Sequence, residues 1–408
     1  MEELLPAIRA DFPALEKYIY LDVAGRNPLS NRVRRAVDAF LDDRQSGAYT
    51  KPDWFERVEQ TRRRMARLVG AHTDEIAMTK NTSEGLNAIA AAIEWRPGDN
   101  VVVAADLEHP NNLYPWLNLR SQGVDVRLVP SRGPAVTAAD LEPVVDRRTR
   151  VVSLAAVSFA TGGRNDLASV SVLCHAFGAM LVVDAVQALG VLDFQVEHLG
   201  VDAFAAGTNK GLLGLYGLGV LYCRRSWIER LTPKYLSRNG VFVEGSEDEI
   251  LGSPEHVMGN ADFTLHNSAR RFELGNFNFL GVHGLQAGLE QIADIGVPAI
   301  EKHVLRLSER LSLGIQDRGY RLVSPASGSQ LSGVVVFQRS RHGDADGLHS
   351  LAQHLERSKV RFALRRGCIR LSLHFYNNDN DIDQFLEILD NYRAVQPHSG
   401  CMRKDVGL

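Results

Sequence analysis

Lys210 is the residue whose setting points most directly to chemistry. It follows an apolar run, Val201 to Ala206, and leads into a glycine-rich turn, Gly211 to Gly214. A strand ending there puts the amine at the carboxyl edge of an α/β sheet, where such folds bind ligands. A lysine partly removed from water has a lowered pKa and can form an imine with a carbonyl compound. The plainer alternative is a solvated lysine. Asp184 ends a second apolar run, Met180 to Val183. A buried carboxylate needs a partner, and a protonated ring nitrogen of a cofactor is one. A helix cap or a buried salt bridge is another. Gln187, three residues on, is placed to reach a second polar atom of the same ring.

Thr82 and Ser83 follow a short strand, Glu75 to Met78, and open a helix. Hydroxyls and free amides at a helix N-terminus suit a phosphate, although capping alone explains the same residues. His109 lies just after a strand ending near Ala105. It is either a proton carrier stacked over a cofactor ring or an ordinary helix-start histidine. Arg370, on the strand-like run Ile369 to Leu373, is either an ion-pair partner or a bidentate grip for a substrate carboxylate. Arg26 and Asn27 sit in a turn, Asp22 to Pro28, which is either a surface feature or part of the substrate wall.

The elements that must hold these residues have an α/β rhythm. Val101 to Ala105, Val151 to Val157 and Met180 to Val183 read as strands buried on both faces, as in a parallel sheet. Val124 to Val129 alternates, as an edge strand does. Helical stretches intervene at Ser83 to Trp95, Asn111 to Ser121 and Asp166 to Phe177. After Phe279 the texture changes. Helices are expected over Gly281 to Ile295, Ile300 to Arg318 and Asp381 to Tyr392, with strands at Gly333 to Gln338, Val360 to Leu364 and Ile369 to Leu373. The expected division is a large α/β domain over 18–270 and a small α+β domain from 1–17 and 271–397. A disordered tail follows over 398–408, and an acidic loop or gate is expected at 244–260.

The chain has 408 residues, a net charge of -3 and 45% apolar residues, a globular composition with no basic stripe for nucleic acid. The basic clusters Arg62 to Arg64, Arg147 to Arg150, and Arg365 with Arg366 read as solvated faces. Four cysteines without paired spacing predict neither a disulfide framework nor a metal site. No apolar run is long enough to span a bilayer, and a reducing, cytoplasmic setting is expected.

Together, Asn81 to Asn87, Glu108 with His109, Val183 to Gln187, Asn209 with Lys210, Arg271 to Glu273 and Arg370 to Asn377 resemble the class V aminotransferase family. This is the fold-type-I pyridoxal 5′-phosphate (PLP) group that includes cysteine desulfurases, selenocysteine lyases and isopenicillin N epimerase. The motifs fall in the family's order from about Tyr20 to Asp383. The resemblance implies Lys210 as the imine lysine, Asp184 on the pyridine nitrogen and Gln187 on the phenolic oxygen. It implies His109 over the ring, Thr82 and Ser83 on the phosphate, and Arg370 on the substrate carboxylate. It also implies a homodimer in which the segment Gly275 to Asn278, with Asn276, reaches the partner's cofactor phosphate.

Three departures narrow the expectation. Asn209 stands where the family usually has histidine; it can donate to a phosphate but cannot share a positive charge. Phe159 stands where many members have asparagine, and its surroundings, with Thr161 to Asp166, look more like the epimerase branch. Cys368 runs straight into Arg370, without the long loop that carries a desulfurase's nucleophilic cysteine. The expected activity is therefore a C–S β-lyase-type reaction at a cysteine-derived or modified amino acid. Aminotransfer, epimerisation and decarboxylating deamination are the alternatives. A non-catalytic binding protein of the same fold predicts decay at Lys210 or Asp184, and both are present. A nucleotide-binding enzyme lacks its GxxxxGK[ST] loop.

Overall fold

The computed structural model describes residues 3–48, 50–243, 263–339 and 345–395. The expected gate at 244–260 and the tail over 398–408 lie outside these residues. A seven-stranded sheet forms the centre, in the order Ile76–Thr79, Gly219–Cys223, Ala203–Gly207, Met180–Asp184, Thr149–Ala155, Asn100–Val103, Asp125–Leu128. Only Gly219–Cys223 runs against its neighbours. The rest are mutually parallel. Parallel neighbours need a crossover, and helix Leu167–Phe177 supplies it between Thr149–Ala155 and Met180–Asp184.

The apolar runs are continuous because both faces are covered. Val102, Val152, Leu181 and Phe204 enter one hydrophobic layer. Val101, Val151, Val182 and Ala205 enter the other. Each fully buried side chain of the larger kinds contributes about 1.5–3 kcal/mol. The alternating segment is the edge strand Asp125–Leu128, as expected. Gly85 lets helix Thr82–Ala92 lie close on the sheet: a Cβ there would come within 2.7 Å of the Ala205 Cβ.

A second, four-stranded antiparallel sheet has the order Arg321–Leu322, Val334–Gln338, Cys368–Ser372, Ala363–Arg365. Helix Val297–Asp317 packs on it and against helix Asp379–Val395, whose Phe385 meets Phe337 of the sheet. The chain's start joins this region. Ile19–Tyr20 pairs in parallel with Val360–Arg361, and Asp22 bridges to Ser372.

Several local expectations need correction. Asn111 to Ser121 is not one helix. Pro110 and Pro115 lack the amides a continuous helix needs, and the segment breaks into Pro110–Asn112, Tyr114–Leu117 and Asn118–Gln122. Val360 to Leu364 is not one strand, because Val360–Arg361 and Ala363–Arg365 serve different sheets. Arg62 is not on a solvated face; it is 1% exposed and paired with Glu273 at 2.6 Å. Helices Asn31–Ser46, Lys51–Val69 and Ala345–Arg357 and strand Gly219–Cys223 were not anticipated. Helix Phe279–Ile295 packs against Asn31–Ser46 and Lys51–Val69. No helix among the described residues is long and apolar enough to cross a membrane.

Candidate active site

A cavity of about 280 Å³ opens at the carboxyl edge of the parallel strands, close to the lower end of ligand clefts, roughly 300–1,000 Å³. Each strand delivers its part where it stops. Asn81, Thr82 and Ser83 follow Ile76–Thr79, His109 follows Asn100–Val103, and Phe159 follows Thr149–Ala155. Asp184 and Gln187 come from the end of Met180–Asp184, and Asn209 and Lys210 from the end of Ala203–Gly207. Seven residues singled out from sequence thus line one cavity: Thr82, Ser83, His109, Asp184, Gln187, Asn209 and Lys210.

Burial brings the Lys210 amine down to about 8, against the charges of Asp184 and Asp22. Arg370 and Arg365 push it the same way as burial. Asp184 is raised, again by burial; the Val186 amide at 3.0 Å and the charge of Lys210 only partly offset this. Lys210 is the one cation whose charge acts on Asp184 among the described residues, and no ion pair joins the two. A buried acid at a cavity wall without a cationic partner fits a ring nitrogen that can take a proton. An amine near neutrality beside it fits a carbonyl ligand. PLP presents both groups, so the donor set suits it.

His109 accepts from the Asn111 amide on Nδ1 at 3.1 Å. That assigns its proton to Nε2 in the neutral form. Burial and the charges of Lys210, Arg370, Arg365 and Arg366 lower its pKa, so the ring is neutral near pH 7. Its edge meets Phe159 at 4.6 Å and 88°. At the helix start, Asn81 caps the Glu84 amide at 2.9 Å. Thr82 Oγ1 accepts from the Gly207 amide at 2.8 Å, which leaves its own proton to donate. Gln187 donates to the Ala24 carbonyl at 3.1 Å.

Arg370 lies beside the cavity, 2% exposed, with its guanidinium 5.2 Å from the Phe159 ring. Asp22 approaches it at 3.9 Å, too far for a hydrogen bond. Arg370 Nε and Nη1 and Asp22 Oδ1 are buried without hydrogen-bond partners. Burial pulls Arg370 down to about 10 and pushes Asp22 up. A buried guanidinium so incompletely paired can take an anion.

Asp22 escaped the sequence reading. Its neighbour Gly25 was the available signal: a Cβ there would fall 2.5 Å from the Asp22 carboxylate. Arg26 is exposed and Asn27 half-buried, and neither lines the cavity. The Asn27 amide does bond the Asn209 carbonyl at 3.0 Å, so that turn rests on the lysine's loop. Asn276 is exposed and does not line the cavity of its own chain.

Two further residues brace the site. Buried Glu108, pushed up to about 8, accepts from Asn112 Nδ2 and the Ala155 amide, both at 2.7 Å. It ties the His109 loop to the neighbouring strand. His374 accepts from the Phe375 amide on Nδ1, and its Nε2 donates to the Gly211 carbonyl at 2.9 Å. Burial brings it to about 4, so it is a neutral strut between the Arg370 strand and the residue after Lys210. Cys368 begins the strand Cys368–Ser372 and is buried, with its thiol pKa raised by that burial.

Comparisons with known proteins identify the family. The family model of aminotransferase class-V matches residues 19–385. A probable cysteine desulfurase of Methanothermobacter thermautotrophicus is 31% identical, over 95% of this chain and 98% of that one. The apo structure of a cysteine desulfurase from Thermococcus onnurineus superposes with a TM-score of 0.82 at 26% identity, covering 95% of this chain and 97% of that one. The cystine C-S lyase C-DES, solved with its product cysteine persulfide, shares the fold at a TM-score of 0.82 and 21% identity, covering 93% and 98%. The fold, the cavity and the matched span lead to one conclusion: this PLP-dependent chain belongs to the aminotransferase class-V family.

Proposed function

We propose that the enzyme acts at the α-carbon of a cysteine-derived or modified amino acid and breaks a C–S bond by β-elimination. The observation that carries the reading is the meeting of Lys210, Asp184, His109 and the Thr82–Ser83 helix start in one cavity, with Arg370 beside it. When bound, PLP supplies an electron sink for the pair released at the α-carbon. Lys210 would hold the cofactor's carbonyl, and its amine, brought to about 8, is suited to take the α-proton at neutral pH. Asp184 would hold the proton of the ring nitrogen, and Gln187 would reach the phenolic oxygen. His109, neutral, would cover the ring and donate from Nε2. Thr82, Ser83 and Asn209 would hold the phosphate. Arg370 orients the substrate through its carboxylate, while the Arg26–Asn27 turn, outside the cavity, braces the lysine's loop through the Asn27 amide.

Cys368 supports a lyase that does not carry a persulfide on its own thiol. It is fixed in a strand with a raised pKa, whereas a nucleophilic cysteine needs a depressed one and access. In the homodimer we propose, Asn276 serves the partner's cofactor. The test is product analysis: pyruvate and a sulfur product released from cystine or a cysteine conjugate support the reading, and their absence across a panel of such substrates sinks it. Asp22 beside Arg370 favours a second reading, decarboxylating deamination, because a carboxylate next to the arginine weakens the grip on the substrate's own. Carbon dioxide and an aldehyde among the products, with dioxygen consumed as the two-electron oxidant, select it.

A further inference from the structure

Arg365 belongs to the same face of the small sheet as Arg370. The register places Arg365 opposite Cys368 and Ala363 opposite Arg370. Residues opposite one another in an antiparallel pair share a face, and side chains alternate along each strand. Arg365, Cys368 and Arg370 therefore project together, with Arg365 one diagonal step from Arg370, roughly 7–8 Å between backbones. The hairpin that carries Arg365 is held in place. Its two-residue turn, Arg366–Gly367, has φ of 48° and 72°, as a tight primed turn requires. The Arg366 guanidinium bonds the Asp106 carbonyl, so the turn is fastened to the loop that leads to His109.

Arg365 is exposed, and its guanidinium bonds only the carbonyl of Leu364 at 3.0 Å among the described residues. Yet its charge reaches Lys210, Arg370, Asp22 and His109. Three guanidiniums act on Asp22: Arg370, Arg365 and Arg26. Three positive charges and one negative leave an excess of two. An α-carboxylate neutralises one of them.

We propose that this site takes an amino acid with a second acidic group, its α-carboxylate on Arg370 and its distal acid on Arg365. The inference rests on the reading of Arg370 as carboxylate receptor. Within the C–S lyase reading, it names the substrate class as a cysteine conjugate whose sulfur substituent ends in an acid. Arg365 is then a specificity residue at the rim, and Phe159, over the Arg370 guanidinium, packs against the substrate's methylene groups.

The test uses the PLP-loaded enzyme and two ligands that cannot react: glutarate, with two carboxylates, and its monoamide glutaramate, with the same shape and one charge. Calorimetry should show glutarate binding about tenfold more tightly, the worth of one charge-assisted hydrogen bond. In Arg365→Gln, glutarate should fall to the affinity of the monoamide, with the monoamide unchanged. Arg365→Lys should keep part of the preference. Equal affinities in the wild type, or a preference that survives Arg365→Gln, overturn the proposal. The visible cofactor band is recorded in the same samples. If it is present while the ligand preference is absent, the specificity claim alone fails; if no band forms, the cofactor assignment fails instead.

Discussion

At the scale of the residue, burial sets where protons sit. The Lys210 amine, brought down to about 8, is half neutral near that pH. Uptake of PLP by the apo-protein should therefore quicken as pH rises to about 8 and level off above it; a stopped-flow rate indifferent to pH across that range argues against the assignment. Asp184 has the opposite sign. Its pKa is raised on folding, so the acid's favourable share of stability is complete below the unfolded value and lost as pH rises through the folded one. The apo-protein of Asp184→Asn should then melt higher than the apo wild type at neutral pH, while its turnover with PLP falls by about 100-fold or more through loss of the charge at the ring nitrogen. Calorimetry and steady-state kinetics read the two halves separately. Lys210 and Asp184 were legible in the sequence because each ends an apolar run, where an ionisable group is out of place. Asp22 and His374 were not, because their meaning lies in partners far along the chain, Arg370 and the Gly211 carbonyl.

At the scale of the element, the site depends on how closely helix Thr82–Ala92 lies on the sheet. Gly85→Val should cost about 1–3 kcal/mol in denaturant unfolding, since its Cβ meets Ala205 and the helix must back away. The same shift carries Thr82 and Ser83 outward, so PLP affinity should drop in parallel; a normal affinity would separate the helix start from the phosphate. His374→Phe keeps a ring but leaves the Gly211 carbonyl without its donor, a loss of about 1–3 kcal/mol. His374→Gln should recover part of it. The parallel strands were readable from their uninterrupted apolar runs and the edge strand from its alternation. Strand Gly219–Cys223 was not, because it starts among the glycines Gly214, Gly217 and Gly219 and runs against the pattern of its neighbours.

At the scale of the whole molecule, a buried ion pair joins distant parts. Arg62, on helix Lys51–Val69, meets Glu273 at 2.6 Å, and both are 1% exposed. Glu273 also accepts from the Met78 amide at 2.7 Å, on the strand that leads to Thr82. Removing one charge strands the other, so Glu273→Ala should cost about 3–5 kcal/mol in unfolding free energy. Composition suggested a solvated arginine cluster there, because nothing local to Arg62 announces an acid so far along the chain. If this assembly holds PLP on Lys210, the absorbance spectrum will show it. The purified protein with PLP should show a yellow band that borohydride abolishes, with the reduced adduct on the peptide containing Lys210, and Lys210→Ala should never develop it. A wild type that stays colourless with added PLP, or an adduct on another lysine, would rule out Lys210 as the cofactor lysine.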